Sequence, residues 1–290
     1  MDVEVRPQRP IVPMGPLDLS QTIGGAFRLF TITPSVTVGL PATAAVVGSA
    51  ELVALMFLSD GLGWPGPFWP WGLVVLLAAG LVWSALMSVS AATSFVVLDH
   101  AVRGQRLSGR AALAAGLRRA LGLLGVYLAV LLVVVLIVAI GTSPFLLLVA
   151  FGPNGGAGAF FGFALALVSM AVYGYAVRVL VSLITAGPAY VVERLGIGAA
   201  LAAAREHSDG NWWRTYATLL VSYLLAQAAA FAFFLVVGLG ILLLQKISIP
   251  AASVVTGSLI VVMATAQAAL LTAVTGLLYY DQRARNRLRI

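Results

Sequence analysis

Six stretches of this chain stay apolar long enough to cross a lipid bilayer, and nothing else about the sequence restricts its fold so severely. They cover roughly residues 35–58, 72–98, 120–150, 158–186, 214–244 and 252–280. A helix rises about 1.5 Å per residue, so about 20 apolar residues span the hydrocarbon layer. Only 9% of residues are charged, and 61% are hydrophobic. A water-soluble domain carries roughly 25% charge to cover its surface. The sequence therefore predicts an all-α polytopic membrane protein. The third stretch is interrupted by Gly141 and Pro144, where a kink is expected, or an end near Ile140.

Arginine sets the expected orientation. Three fall in the leader and first segment (Arg6, Arg9, Arg28). The loops after the second and fourth stretches hold Arg103, Arg106, Arg110, Arg118, Arg119, Arg194, Arg205 and Arg214, and the C-terminus adds Arg283, Arg285, Arg287 and Arg289. The opposite loops contain Lys246 alone. Basic residues stay on the cytoplasmic side, so both termini are expected there, in a cell membrane. The net charge of +7 lies beside apolar spans, which points to anionic lipid headgroups rather than nucleic acid.

The spans pair into hairpins, and each hairpin closes on a lone acid: Val-Val-Leu-Asp99, Tyr-Val-Val-Glu193 and Leu-Tyr-Tyr-Asp281. Each opens on a short Ala/Gly/Arg leader, at Leu19 to Phe30, about Gly109 to Leu121, and Gly198 to about Arg205. Such segments suit helices lying along the cytoplasmic interface. Ser20 is the expected N-cap of the first leader and Pro34 its end, while Ser208-Asp209-Gly210-Asn211 ends the third. The expected division is a proline-rich cytoplasmic leader over 1–18, extended and polyproline-like, and a membrane domain over 19–282. Within that domain the repeats run about 19–104, 105–194 and 195–282, with a basic tail at 283–290.

Three segments resemble one bacterial family. They are Leu-Asp-Leu-Ser-Gln-Thr-Ile-Gly-Gly-Ala-Phe-Arg-Leu-Phe at 17–30, Val-Leu-Asp-His-Ala-Val-Arg-Gly at 97–104, and Leu-Tyr-Tyr-Asp-Gln-Arg-Ala-Arg at 278–285. The family is the membrane domain named after glycerophosphoryl diester phosphodiesterase, common as stand-alone actinobacterial membrane proteins. The resemblance implies a helical membrane domain without the catalytic barrel of that enzyme. Where members continue the last motif with Glu-Gly, this chain reads Asn286-Arg287-Leu288-Arg289.

Two groups of residues are candidate sites. Asp99, Glu193 and Asp281, with Arg103 and Arg285 at i+4 and Arg194 adjacent to Glu193, either mark the water boundary or form a cytoplasmic docking face for a protein partner. Glu51 and Arg178 are charges deep within spans, where an unpaired arginine costs about 2.5–3.5 kcal/mol. A structural ion pair is expected, with a polar transport path as the alternative. Gln227 and Gln267 fall at mid-depth and are expected to hydrogen-bond between helices. Gly162, Ala166 and Gly174 suggest close helix packing on the fourth span.

Enzymatic signatures are missing. There is no cysteine, and His100 and His207 lack ligand-spaced partners, so neither metal nor cofactor is expected. The turn Gly152-Pro153-Asn154-Gly155-Gly156 lacks the Gly-Lys-Ser/Thr ending of a phosphate loop. The aromatic loop with Trp64, Phe68, Trp69 and Trp71 is expected to sit in the headgroup layer. The function this favours is a non-catalytic integral membrane protein: a scaffold, regulator or subunit of a membrane assembly. A small transporter or lipid-handling protein using Glu51 and Arg178 is the alternative. For an interfacial enzyme the sequence offers only scattered carboxylates.

Overall fold

A computed structural model describes residues 6–7, 10–12, 15–62, 69–151 and 156–288. The tryptophan-rich loop at 63–68 and the glycine-rich turn at 152–155 lie outside them. The described chain is all-α apart from one short antiparallel ladder, in which β1 (Arg6–Pro7) pairs with β2 (Gln105–Arg106).

The helices are α1 (Leu19–Ile32), α2 (Pro34–Thr37), α3 (Gly39–Leu62), α4 (Trp69–Val102), α5 (Gly109–Phe151), α6 (Gly156–Leu183), α7 (Ala186–Val192), α8 (Ile197–Ser208), α9 (Trp212–Ile247) and α10 (Ile249–Arg287). Five apolar helical segments are long enough to cross a membrane, and a bent helix pair makes a sixth if it counts as one span. That pair, Leu19–Ile32 with Pro34–Glu51, turns through 105°. Consecutive long helices pack as hairpins, α3 on α4, α5 on α6 and α9 on α10. The last helix also lies against α3 and α4.

Large apolar side chains point outward along the spans, among them Leu131, Leu136, Ile140, Phe160, Phe163 and Val236. Water would penalise such a surface and lipid does not. Most span hydroxyls meet their hydrogen-bonding needs on their own helices: Ser88, Thr142, Ser222 and Thr265 each donate to the carbonyl four residues back, while Ser49 and Ser169 donate to a neighbouring helix. Hydrocarbon provides no alternative partner. The largest buried cluster sits at the arginine-bearing end, where Leu29, Val97, Leu98, Leu107, Val274 and Leu277 meet.

Several expectations need correction. The N-cap of α1 is Asp18, not Ser20; its carboxylate accepts from the Gln21 N–H, and the Gln21 side chain accepts from the Asp18 N–H. This reciprocal pair satisfies two helix-end donors at once, which a Ser20 cap would leave open. The leader also packs against the helices, which its proline content did not foretell. Ile11, Val12 and Leu17 are buried, and a Cβ on Gly25 would lie 2.7 Å from Val12 Cγ1, so the glycine lets the leader seat on α1.

The second leader is not a separate helix: it runs straight into α5, because nothing between Arg110 and Leu121 breaks a helix. By contrast, Gly210 takes a left-handed φ of 78° after α8 and separates the third leader from α9. Pro144 is absorbed within α5, which reaches Phe151. The fourth span breaks before α7, four residues ahead of Pro188, whose missing N–H leaves no donor for the Ile184 carbonyl. The basic tail continues α10 as far as Arg287.

Close packing does not depend on Gly174, which has open space where a Cβ would stand. On that span the close approach is made by Gly141 of α5, where a Cβ would meet Val172 Cβ at 2.6 Å, and between α5 and α4 by Gly116, where a Cβ would meet Thr93 Cα at 2.8 Å.

Candidate functional site

Around one turn near the end of α10, four consecutive residues point in four directions. A helix advances 100° per residue, so Tyr279 to Gln282 sweep nearly a full circle. Each finds a partner on a different element, because the end of α10 is surrounded. The Tyr280 hydroxyl donates to Asp99 Oδ1 at 2.5 Å, at the end of α4. Tyr279 donates to the Glu193 carboxylate, just past α7.

Asp281 accepts from the Leu17 backbone N–H at 2.7 Å and from Arg214 Nε on α9 at 3.3 Å. Arg285 Nε donates to it at 2.9 Å. Gln282 accepts from Thr185 Oγ1 at 3.2 Å and donates to Thr215 Oγ1 at 2.8 Å. The carbonyl of Leu17 takes further bonds from Arg214 and Arg285.

The three closing acids are thus tied to one another through a single turn of α10, around which they are arranged, and they face inward. Their side chains are 14%, 23% and 3% exposed for Asp99, Glu193 and Asp281. Each has an arginine. Arg103 pairs with Asp99 at 2.8 Å and Arg285 with Asp281, as the i+4 spacing suggests. Glu193 is different: its partner is Arg283, at 3.5 Å, and not Arg194. Arg194 follows α7 in left-handed backbone, φ 58°, and is exposed. That turn reverses the chain after the helix and carries the residue away from the carboxylate. Because these three acids are spent on internal partners, the exposed charge at this end is mostly arginine among the described residues: Arg28, Arg103, Arg106, Arg110, Arg118, Arg194, Arg205, Arg214 and Arg287. Among the described residues the exposed acids there are Asp18, Glu206 and Asp209.

Sequence reasoning missed Tyr279, Tyr280 and Gln282. Their signal was present: polar tips beside an acid at the end of an apolar helix must find partners when buried.

The expected ion pair between Glu51 and Arg178 does not form. Glu51 is on α3, which packs against α4 and α10, whereas Arg178 is on α6, beside α5, α8 and α9. The Arg178 guanidinium lies over the Trp212 ring, 5.7 Å from its centre, a cation–π contact. Gln227 and Gln267 do meet across α9 and α10, at 2.6 Å, and Gln227 also donates to Tyr223. Of the four deep polar residues, then, the structure joins the glutamines and separates the charges.

Outside the spans, the Asp18 carboxyl is held below its usual range, chiefly by the Gln21 backbone N–H and then by the Ser20 hydroxyl. Among the described residues no three acid or histidine side chains gather as a metal site.

Fold and site together define a helical protein of the multi-pass membrane class. No protein family, curated protein or solved structure matches the chain.

Proposed function

We propose that this chain is a non-catalytic integral membrane protein serving as a scaffold, regulator or subunit of a membrane assembly. In this reading it is a member of the family its motifs resemble, with both termini in the cytoplasm of the cell. The observation that carries the proposal is the inward turn of the three acids. It leaves a rigidly tied face whose outward charge is predominantly arginine. Each arginine near an anionic surface contributes about 1 kcal/mol of attraction, so such a face holds anionic headgroups or an acidic partner.

The transporter alternative needs Glu51 and Arg178 on one path, and their separation on different helices gives it no support.

The test is purification from native membranes in a gentle detergent, beside a variant carrying Arg110→Gln, Arg118→Gln, Arg194→Gln and Arg205→Gln. A stoichiometric partner that the variant loses at equal expression supports the proposal. A monodisperse protein with no stoichiometric partner in either sample overturns it. A C-terminal reporter active only outside the cell would overturn the orientation.

A further inference from the structure

Between α3 and α9, with α10 as its back wall, runs a groove of about 450 Å³. That volume lies within the range of small-molecule sites. The space exists because all three helices contribute small side chains: Ala42 and Ala45 on α3, Ala226 and Ala229 on α9, Ala266 and Ala269 on α10. At its arginine-side end α1 turns across it and contributes Ile23, Phe27 and Phe30.

Few polar groups reach the groove, and those that do have hydrogen-bond partners within the protein. Thr37, Ser222 and Thr265 each donate to the carbonyl four residues back, and the Gln267 amide donates to Gln227. A polar solute entering here would lose its water and find almost nothing to bind, which is unfavourable. An apolar chain loses nothing.

The groove also has the depth of one leaflet. Its lining on α10 runs from Val262 to Val274, which at about 1.5 Å per residue is about 18 Å. Half of a hydrocarbon layer about 30 Å thick is about 15 Å. It lies along helices long and apolar enough to span a membrane, so its contents come from the bilayer.

We infer that this groove is a binding site for one acyl chain of a phospholipid from the leaflet on the arginine-bearing side. The chain lies against α10 between α3 and α9, enclosed on three sides, with its glycerol end beside the turn from α1 to α2. This site is independent of the arginine face and of any protein partner.

The test uses the full chain in phosphatidylglycerol vesicles doped with a phospholipid bearing a diazirine midway along one acyl chain. Illumination should label α9 around Leu225 to Ala229 and α10 around Val262 to Leu270 in preference to the outward face of α5 at Leu131 to Leu136. Ala229→Phe and Ala266→Phe place rings in the groove at exposed positions. Each should cut groove labelling by roughly tenfold, equivalent to about 1.4 kcal/mol of lost affinity, and leave α5 labelling unchanged. Labelling of the groove no stronger than that of α5 in the unmodified protein overturns the inference, whether or not the variants fold. Undiminished labelling in folded phenylalanine variants overturns it as well.

Discussion

Replacing Asp281 by asparagine should release the N-terminal leader from the helix bundle. Asp281 is 3% exposed and accepts from the Leu17 N–H, Arg285 and Arg214 at 2.7, 2.9 and 3.3 Å. Asparagine keeps the shape and one acceptor but removes the charge that holds two guanidinium groups. A hydrogen bond to a charged group contributes about 1.5–3 kcal/mol. Arg214 and Arg285 are 41% and 27% exposed, so water partly replaces the lost partner and the cost falls toward the lower end, about 2 kcal/mol.

At about 1.4 kcal/mol per tenfold, that raises the opening equilibrium of the leader about 30-fold. The chain has no cysteine, so Val12→Cys introduces its sole thiol at a position 5% exposed. Maleimide labelling in detergent then reports leader opening when reclosure outpaces reaction. Val126→Cys, buried in a separate cluster on α5, reports whether the whole bundle has loosened. We expect about 30-fold faster labelling at position 12 and little change at 126. Acceleration below about threefold, worth less than about 0.7 kcal/mol, would refute the claim that Asp281 ties the leader down.

Further outcomes follow from the same geometry. Tyr280→Phe leaves Asp99 with Arg103 but without the hydroxyl, and should cost about 1–2 kcal/mol in reversible unfolding, more than the same change at exposed Tyr173. Gly116→Val drives a side chain into the Thr93 backbone on α4, so thermal stability in detergent should fall by about 1–3 kcal/mol or the variant should fail to accumulate. Gln267→Leu removes one interhelical hydrogen bond and should cost only about 0.6 kcal/mol by the same unfolding measurement.

For Asp18, the folded pKa is depressed below the unfolded value. Its capping contribution is therefore fully present above the ordinary aspartate range, about pH 3.9, and is lost as pH falls through the lower folded value. Amide exchange in α1, compared with an Asp18→Ala variant, should show the two converging as the carboxyl protonates.

The sequence alone determined the medium and the element type. Span length is a local property: about 20 apolar residues must be helical in lipid, because no other open structure satisfies their backbone groups. The breaks at Pro34 and at Ser208 to Asn211 were equally local. The Gln227–Gln267 bond was legible too, since a carboxamide at mid-depth has few partners other than a facing helix.

Packing decided the rest. Leu17 and Asp281 are 264 residues apart, Tyr280 and Asp99 are 181 apart, and Tyr279 and Glu193 are 86 apart. No periodicity encodes which of several acids a hydroxyl will meet at that separation. The i+4 rule found Arg103 and Arg285 because those partners share a helix with their acids. It could not find Arg283 for Glu193, where a left-handed residue turns the chain and the partner arrives from α10. Nor could it anticipate that Arg178 would reach Trp212 rather than Glu51. Helix contacts within one turn are set by a spacing of 3.6 residues, whereas contacts between helices depend on which faces of the bundle close on one another.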